Sequence, residues 1–213
     1  MTELLLIAVV VVGLAGTLVG EGRKLRWMVW TFKPLASTAF IALAGFCGAL
    51  DSTYGALILA GLVLSWFGDV FLISRKLLHF RLGLVSFLLG HVAYVIAFVS
   101  VGLDGMLTGM AAIPLSVTAV VVFLWLRPNL GRMKVPVLAY VVVITVMVIC
   151  AVGTVHTPGG AVRVLGAMAF YLSDLGVARD RFVAEGLANR LFGLPLYYGG
   201  QVLLALSIAL TLP

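Results

Sequence analysis

Eight apolar runs, each long enough to cross a bilayer as a helix, divide this chain from end to end. They fall at about residues 3–20, 34–50, 55–74, 82–101, 107–126, 135–153, 160–178 and 191–211. A helix needs about 20 residues to cover ~30 Å of hydrocarbon. In lipid every backbone N–H and C=O must be satisfied within its own segment, so such runs read as helices. The expectation is an all-α polytopic membrane bundle of about eight spans, forming one domain over residues 1–213. Composition agrees: the chain is 63% hydrophobic and 10% charged, against about 45–50% and 25% in soluble domains. So little polar surface would not cover a water-soluble globule. The opening MTELLLIAVV has no basic residue ahead of its apolar stretch, unlike a cleavable leader, and reads as the first span.

The charges fix an orientation. Arg23, Lys24, Arg26 and Lys33 fall between spans one and two, and Arg75, Lys76 and Arg81 between three and four. Arg127, Arg132 and Lys134 follow between five and six, and Arg179, Arg181 and Arg190 between seven and eight. Of the 14 Lys and Arg, only Arg163 lies at the opposite face, where the loops carry Asp51, Asp104 and His156. Positive loops stay inside, which puts the basic loops in the cytoplasm and both termini outside. The net charge of +6 is thereby a membrane-topology signal. No basic run interleaved with aromatics suggests a nucleic-acid groove. Cys47 and Cys150 sit in apolar runs and offer no metal or redox motif.

Two acids lie inside spans. Asp69 sits in LSWFGDVFLI, shortly before Arg75, and Asp174 in AFYLSDLGVA, shortly before Arg179. Counting back from those arginines at 1.5 Å per residue puts each carboxyl roughly 8–9 Å inside the cytoplasmic boundary. An ionisable group at such depth is costly and is a functional-site hypothesis by default. Facing each other, two carboxyls would not both ionise cheaply, and one would keep its proton, making an acid and a base from identical side chains. The plainer alternative makes each a local polar pin, hydrogen-bonded to a neighbour such as Ser65 or Ser173.

Other polar residues share this region. His91 lies near mid-membrane in span four with Tyr94 one turn on, and Tyr197, Tyr198 and Gln201 cluster in span eight. They read as substrate contacts or as glue between helices. Lys33-Pro34 opens span two, where a lysine serves as a snorkelling anchor or a phosphate contact. Tyr140 and Tyr171 are further candidates to line a cavity. The three histidines, His79, His91 and His156, lie at three depths, so a His-rich metal site is not expected, nor is any cofactor. Asp69 and Asp174 lie about half a chain apart, each followed by a polar aromatic one helix later, the pattern of a parallel four-plus-four repeat. Gly45, Gly48, Gly83 and Gly90 permit close helix contacts within or between chains, and the oligomeric state stays open.

Taken in order, Lys33-Pro34, SWFGDVFLI (Ser65, Asp69), FLLGHVAYVIAF (His91, Tyr94), YLSD (Ser173, Asp174) and YYGGQVLLALS (Tyr197, Tyr198, Gln201) resemble the YhhN family of membrane proteins, whose characterised members are lysoplasmalogenases. The resemblance runs from about residue 33 to 207. It implies hydrolysis of the vinyl-ether bond of a lysoplasmalogen to a fatty aldehyde and a glycerophospho-base, without a required metal, in a bacterial inner membrane. The substrate would be a lysophospholipid entering from the cytoplasmic leaflet among membrane lipids. Asp69 and Asp174 would be catalytic. Lys33, Ser65, His91, Tyr94, Ser173, Tyr197, Tyr198 and Gln201 would bind substrate. Two rival readings use the same acids differently: a proton-coupled transporter of small molecules or lipids, with polar groups reaching both faces, and a lipid-binding scaffold without turnover.

Overall fold

The structure, a computed structural model, describes residues 1–211. The described residues form eight long helices: α1 (Thr2–Gly22), α2 (Arg26–Phe46), α3 (Thr53–Ile73), α4 (Leu77–Ser100), α5 (Gly105–Leu126), α6 (Lys134–Gly153), α7 (Gly160–Phe182) and α8 (Leu187–Ala209). Two single 3₁₀ turns, Arg127–Asn129 and Gly131–Met133, join α5 to α6. All eight helices are long and apolar enough to cross a membrane, and no strand occurs among the described residues. The chain is the all-α polytopic bundle that its apolar runs imply.

Several helices extend beyond their apolar runs. α2 begins at Arg26, α4 at Leu77 and α8 at Leu187, and α7 continues to Phe182. Hydropathy marks only the stretch matched to hydrocarbon, whereas a helix keeps its own hydrogen bonds through the interfacial layer. Exposed Trp27 and Trp30 give α2 the aromatic surface that this layer favours. Lys33-Pro34 therefore does not open the helix but lies two turns inside it. Proline there removes an N–H that would have bonded the Trp30 carbonyl. Short polar caps start two helices: the Ser52 hydroxyl accepts from the Gly55 N–H at 3.0 Å and the Asp104 carboxylate from the Leu107 N–H at 3.0 Å. The Leu107 bond holds the Asp104 carboxyl below the usual carboxylate range.

The helices pair in chain order, α1 on α2, α2 on α3 and α3 on α4, and again α5 on α6, α6 on α7 and α7 on α8. The halves meet through α4 on α6 and α2 on α8. This is the contact pattern of a parallel four-plus-four repeat, and particular positions follow it. Gly55, Gly61 and Asp69 of α3 correspond to Gly160, Gly166 and Asp174 of α7 at a spacing of 105 residues. Gly83, Gly90 and His91 of α4 correspond to Gly193, Gly200 and Gln201 of α8 at 110. A side chain at Gly90 would approach the Gly61 carbonyl to 3.2 Å, and one at Gly200 would approach the Gly166 carbonyl to 2.8 Å. Lipid offers helices no hydrophobic drive to associate, so such close backbone contact is what holds each pair. Gly200→Ala forces α8 off α7 and is expected to cost about 1–3 kcal/mol, read as a lowered melting temperature of the purified protein.

The halves differ at their seam, where α1 also packs on α8 while its counterpart α5 makes no comparable contact with α4. α3 packs on α8, but the matching pair α7 and α4 makes no comparably extensive backbone contact. Aromatic side chains bridge that gap instead, with Phe80 against Phe182 at 5.6 Å and Phe87 against Phe170 at 6.0 Å between ring centroids.

The end away from the basic loops is closed by Arg163, a fully buried side chain. Its guanidinium donates to Thr154 Oγ1 at 3.1 Å, Thr211 Oγ1 at 2.8 Å, the Pro158 carbonyl at 2.7 Å and the Thr157 hydroxyl. It also lies over the Tyr54 ring at 5.2 Å. One arginine thus ties α3, α7, the α6–α7 turn and the end of α8 together.

Candidate active site

Asp69 is 2% exposed and its carboxylate is almost fully engaged. Lys33 Nζ lies 3.2 Å from Oδ1 and also donates to the Asp69 backbone carbonyl at 3.2 Å. Ser37 and Tyr197 both donate hydroxyl protons to Oδ2, at 2.5 and 2.7 Å. α2 supplies the first two groups because Lys33 and Ser37 are one turn apart and share a face. One ammonium and two hydroxyls on one carboxylate suit its ionised form. The Tyr198 hydroxyl donates to the Lys33 carbonyl at 3.2 Å, steadying the lysine from behind.

Asp174 has different company. It is half-buried, and the Tyr140 hydroxyl donates to its Oδ2 at 2.7 Å. No cation stands within ion-pair distance of it among the described residues. In each half, then, the acid is bonded to the helix before it: Asp69 of α3 to α2, Asp174 of α7 to α6.

Both carboxyls line one cavity of about 300 Å³, at the small end of ordinary ligand sites, roughly 300–1,000 Å³. Its mouth, at the basic end, carries Glu21, Arg75, Asp180, Arg181, Glu185 and Arg190. Ion pairs cross that mouth, Arg190 with Glu21 and with Asp180, and Arg75 with Glu185. An apolar arm runs outward along Leu84 of α4 and Val137 and Val141 of α6 to Val122 and Leu126 of α5. α5 is the most peripheral helix, with Leu126 its one buried residue. No residue of the far loops lines the cavity.

Of the residues expected from the sequence, Lys33, Asp69, Ser173, Asp174 and Tyr197 line this cavity, as do Tyr140 and Tyr171. The Ser173 hydroxyl turns back to the Phe170 carbonyl at 2.7 Å. The Tyr171 hydroxyl is buried and has no hydrogen-bond partner among the described residues. Ser65, His91, Tyr94 and Gln201 are fully buried and stand behind the wall, outside the lining. There Tyr94 donates to Gln201 Oε1 at 2.8 Å. His91 packs against Phe170 at 4.6 Å and Tyr140 at 5.2 Å, and neither of its nitrogens is hydrogen-bonded among the described residues. Phe170 also meets the Tyr197 ring at 5.2 Å, so an aromatic wall joins the partner of one acid to the partner of the other. Sequence reasoning missed Ser37 and Phe170. Ser37 was within reach, four residues after Lys33 on one helix face, but only once α2 is known to begin upstream of both. No three His, Cys, Asp or Glu side chains converge as metal ligands would among the described residues.

Fold and site together define a multi-pass helical membrane protein with two intramembrane carboxyls in a cavity at its basic end. The model of the YhhN family matches residues 28–208, and the chain belongs to that family. It is 34% identical over 157 residues to the lysoplasmalogenase TMEM86A of Bos taurus, a match covering 70% of this chain and 64% of the bovine protein. The chain therefore spans less than two thirds of that relative's length. No solved structure matches it.

Proposed function

We propose that the protein is a lysoplasmalogenase-like hydrolase, cleaving the vinyl-ether bond of a single-chain lysolipid with Asp174 and Asp69 as its acid and base. The observation that carries this reading is one cavity holding two carboxyls with unlike partners. Asp69, held by Lys33, Ser37 and Tyr197, suits the ionised role. Asp174, held by one neutral hydroxyl, suits the role of proton donor. Asp174 gives its proton to the β-carbon of the vinyl ether, leaving an oxocarbenium ion at the adjacent carbon. The faces of Phe170 and Tyr197 and the Asp69 carboxylate oppose that positive charge. Water adds to the cationic carbon and its proton passes to a carboxylate. The hemiacetal then collapses to a fatty aldehyde and the free hydroxyl of the glycerophospho-base.

The amphipathic shape of the cavity supports the substrate class. A charged mouth suits a phospho-base head group and the apolar arm toward α5 suits one hydrocarbon chain. On this reading the basic end faces the cytoplasm of a bacterial plasma membrane, both termini lie outside, and residues 1–213 act as one domain. A carrier reading would need a path to the other face, and the packing around Arg163 gives it little support. Purified protein in nanodiscs is expected to release aldehyde from lysoplasmenylethanolamine, measured by coupling to an aldehyde dehydrogenase. Proton-coupled flux of the lipid without cleavage would instead establish a carrier.

A further inference from the structure

A second cavity, of about 540 Å³, adjoins the first at the basic end. Three turns build it: Gly20 to Arg26 around the α1–α2 connection, Arg75 after α3, and Glu185 to Arg190 at the start of α8. The two cavities share Glu21, Arg75, Glu185 and Arg190. Those four residues are the ion pairs Arg190–Glu21 and Arg75–Glu185, so the partition between the cavities consists of salt bridges.

The lining of this cleft holds four cations, Lys24, Arg26, Arg75 and Arg190, against two carboxylates. Neither Lys24 nor Arg26 has an ion-pair partner among the described residues. Lys24 is also the one non-glycine residue there with positive φ, 58°, a left-handed conformation that side chains ordinarily avoid. The Arg75–Glu185 pair is more than half exposed, at 54% and 62%, and exposed pairs are weakly held. A phosphodiester offers arginine the same bidentate pair of anionic oxygens as a carboxylate, so it competes for both guanidinium groups.

We propose that this cleft is a phosphate-recognition site, which grips the phosphodiester of the lysolipid head group while the vinyl ether lies between Asp69 and Asp174. Glu21 and Glu185, released from their arginines, then face the head-group amine. The inference rests on the hydrolase reading above and assigns its substrate specificity to Lys24, Arg26, Arg75 and Arg190. The chemistry is shared by free phosphate and by the glycerophospho-base product.

The test compares wild type with the double variant Lys24→Gly, Arg26→Gln in nanodiscs. Glycine suits the left-handed turn, so the fold is retained. Two substrates are used, lysoplasmenylethanolamine and the phosphate-free 1-alkenylglycerol. The ratio of kcat/KM for the first over the second is expected to fall about tenfold in the variant, through KM, the size of one lost charge-assisted hydrogen bond. Glycerophosphoethanolamine is expected to inhibit the wild type competitively and the variant far less. An unchanged ratio overturns the proposal. Equal inhibition by inorganic phosphate and by glycerophosphoethanolamine overturns the head-group assignment in favour of a free-phosphate site. If the wild type cleaves neither substrate, the hydrolase reading fails. The cleft is then judged by thermal stabilisation with glycerophosphoethanolamine, where equal shifts in wild type and variant overturn it.

Discussion

Asp174→Asn is expected to lower kcat for vinyl-ether hydrolysis by about a thousandfold, while the melting temperature stays within a few degrees of wild type. Asparagine keeps the size of the side chain and still accepts from the Tyr140 hydroxyl, which bonds Asp174 at 2.7 Å. What it lacks is an acidic proton, and loss of a positioned general acid costs about 10²–10⁴ in rate. Asp69→Asn is expected to lose activity to a similar degree but also to lose stability, because Asp69 balances the ammonium of Lys33 at 3.2 Å. The contrast separates the two acids by role: one variant is folded and inert, the other inert and loosened. Aldehyde release and thermal unfolding, measured on the same preparations, check it. Full activity in both variants would remove the two-carboxyl mechanism.

Lys33→Met carries the second large effect, in stability. The Lys33 side chain is 10% exposed and that of Asp69 2%. Removing one partner of a buried pair leaves the other charge without its counter-ion, at about 3–5 kcal/mol. Ser37 and Tyr197 still donate to Asp69 and reduce that figure toward its lower end. The double variant Lys33→Met, Asp69→Asn removes both charges and is expected to recover most of the lost stability while staying inactive. A thermal or denaturant cycle over the four proteins reads the coupling directly. Additive losses would mean that the two groups do not depend on each other.

Much of the fold is legible in the apolar runs, because lipid permits only helices of a set length and leaves few alternatives. The two acids are legible for the same reason, since a carboxyl in a span is costly enough to demand a partner, whether as a local pin or as part of a site. The helix ends are not, because the interfacial layer tolerates Arg26 and Trp27 in a helix as readily as in a loop. Placed at a helix start, Lys33 reads as an anchor or a phosphate contact, whereas two turns inside the helix it meets Asp69. The pairing itself lies between helices α2 and α3, and no spacing along either one encodes it. The repeat was half visible. Its register shifts from 105 residues between α3 and α7 to 110 between α4 and α8, so His91 matches Gln201 and the aromatic Tyr197 matches Phe87. Glycines at contact points, rather than polar side chains, preserve that correspondence.

The apolar arm toward α5 and the charged mouth together select for amphiphilic form, and nothing in that form is peculiar to a vinyl ether. A solubilising detergent with one alkyl tail and a polar head has the same outline as the lysolipid. Micelle-extracted protein is therefore expected to be occupied by its own solvent, with apparent affinity set by detergent concentration. Transfer to a bilayer disc, where two-tailed lipids fit the arm poorly, should raise turnover without any change in the protein.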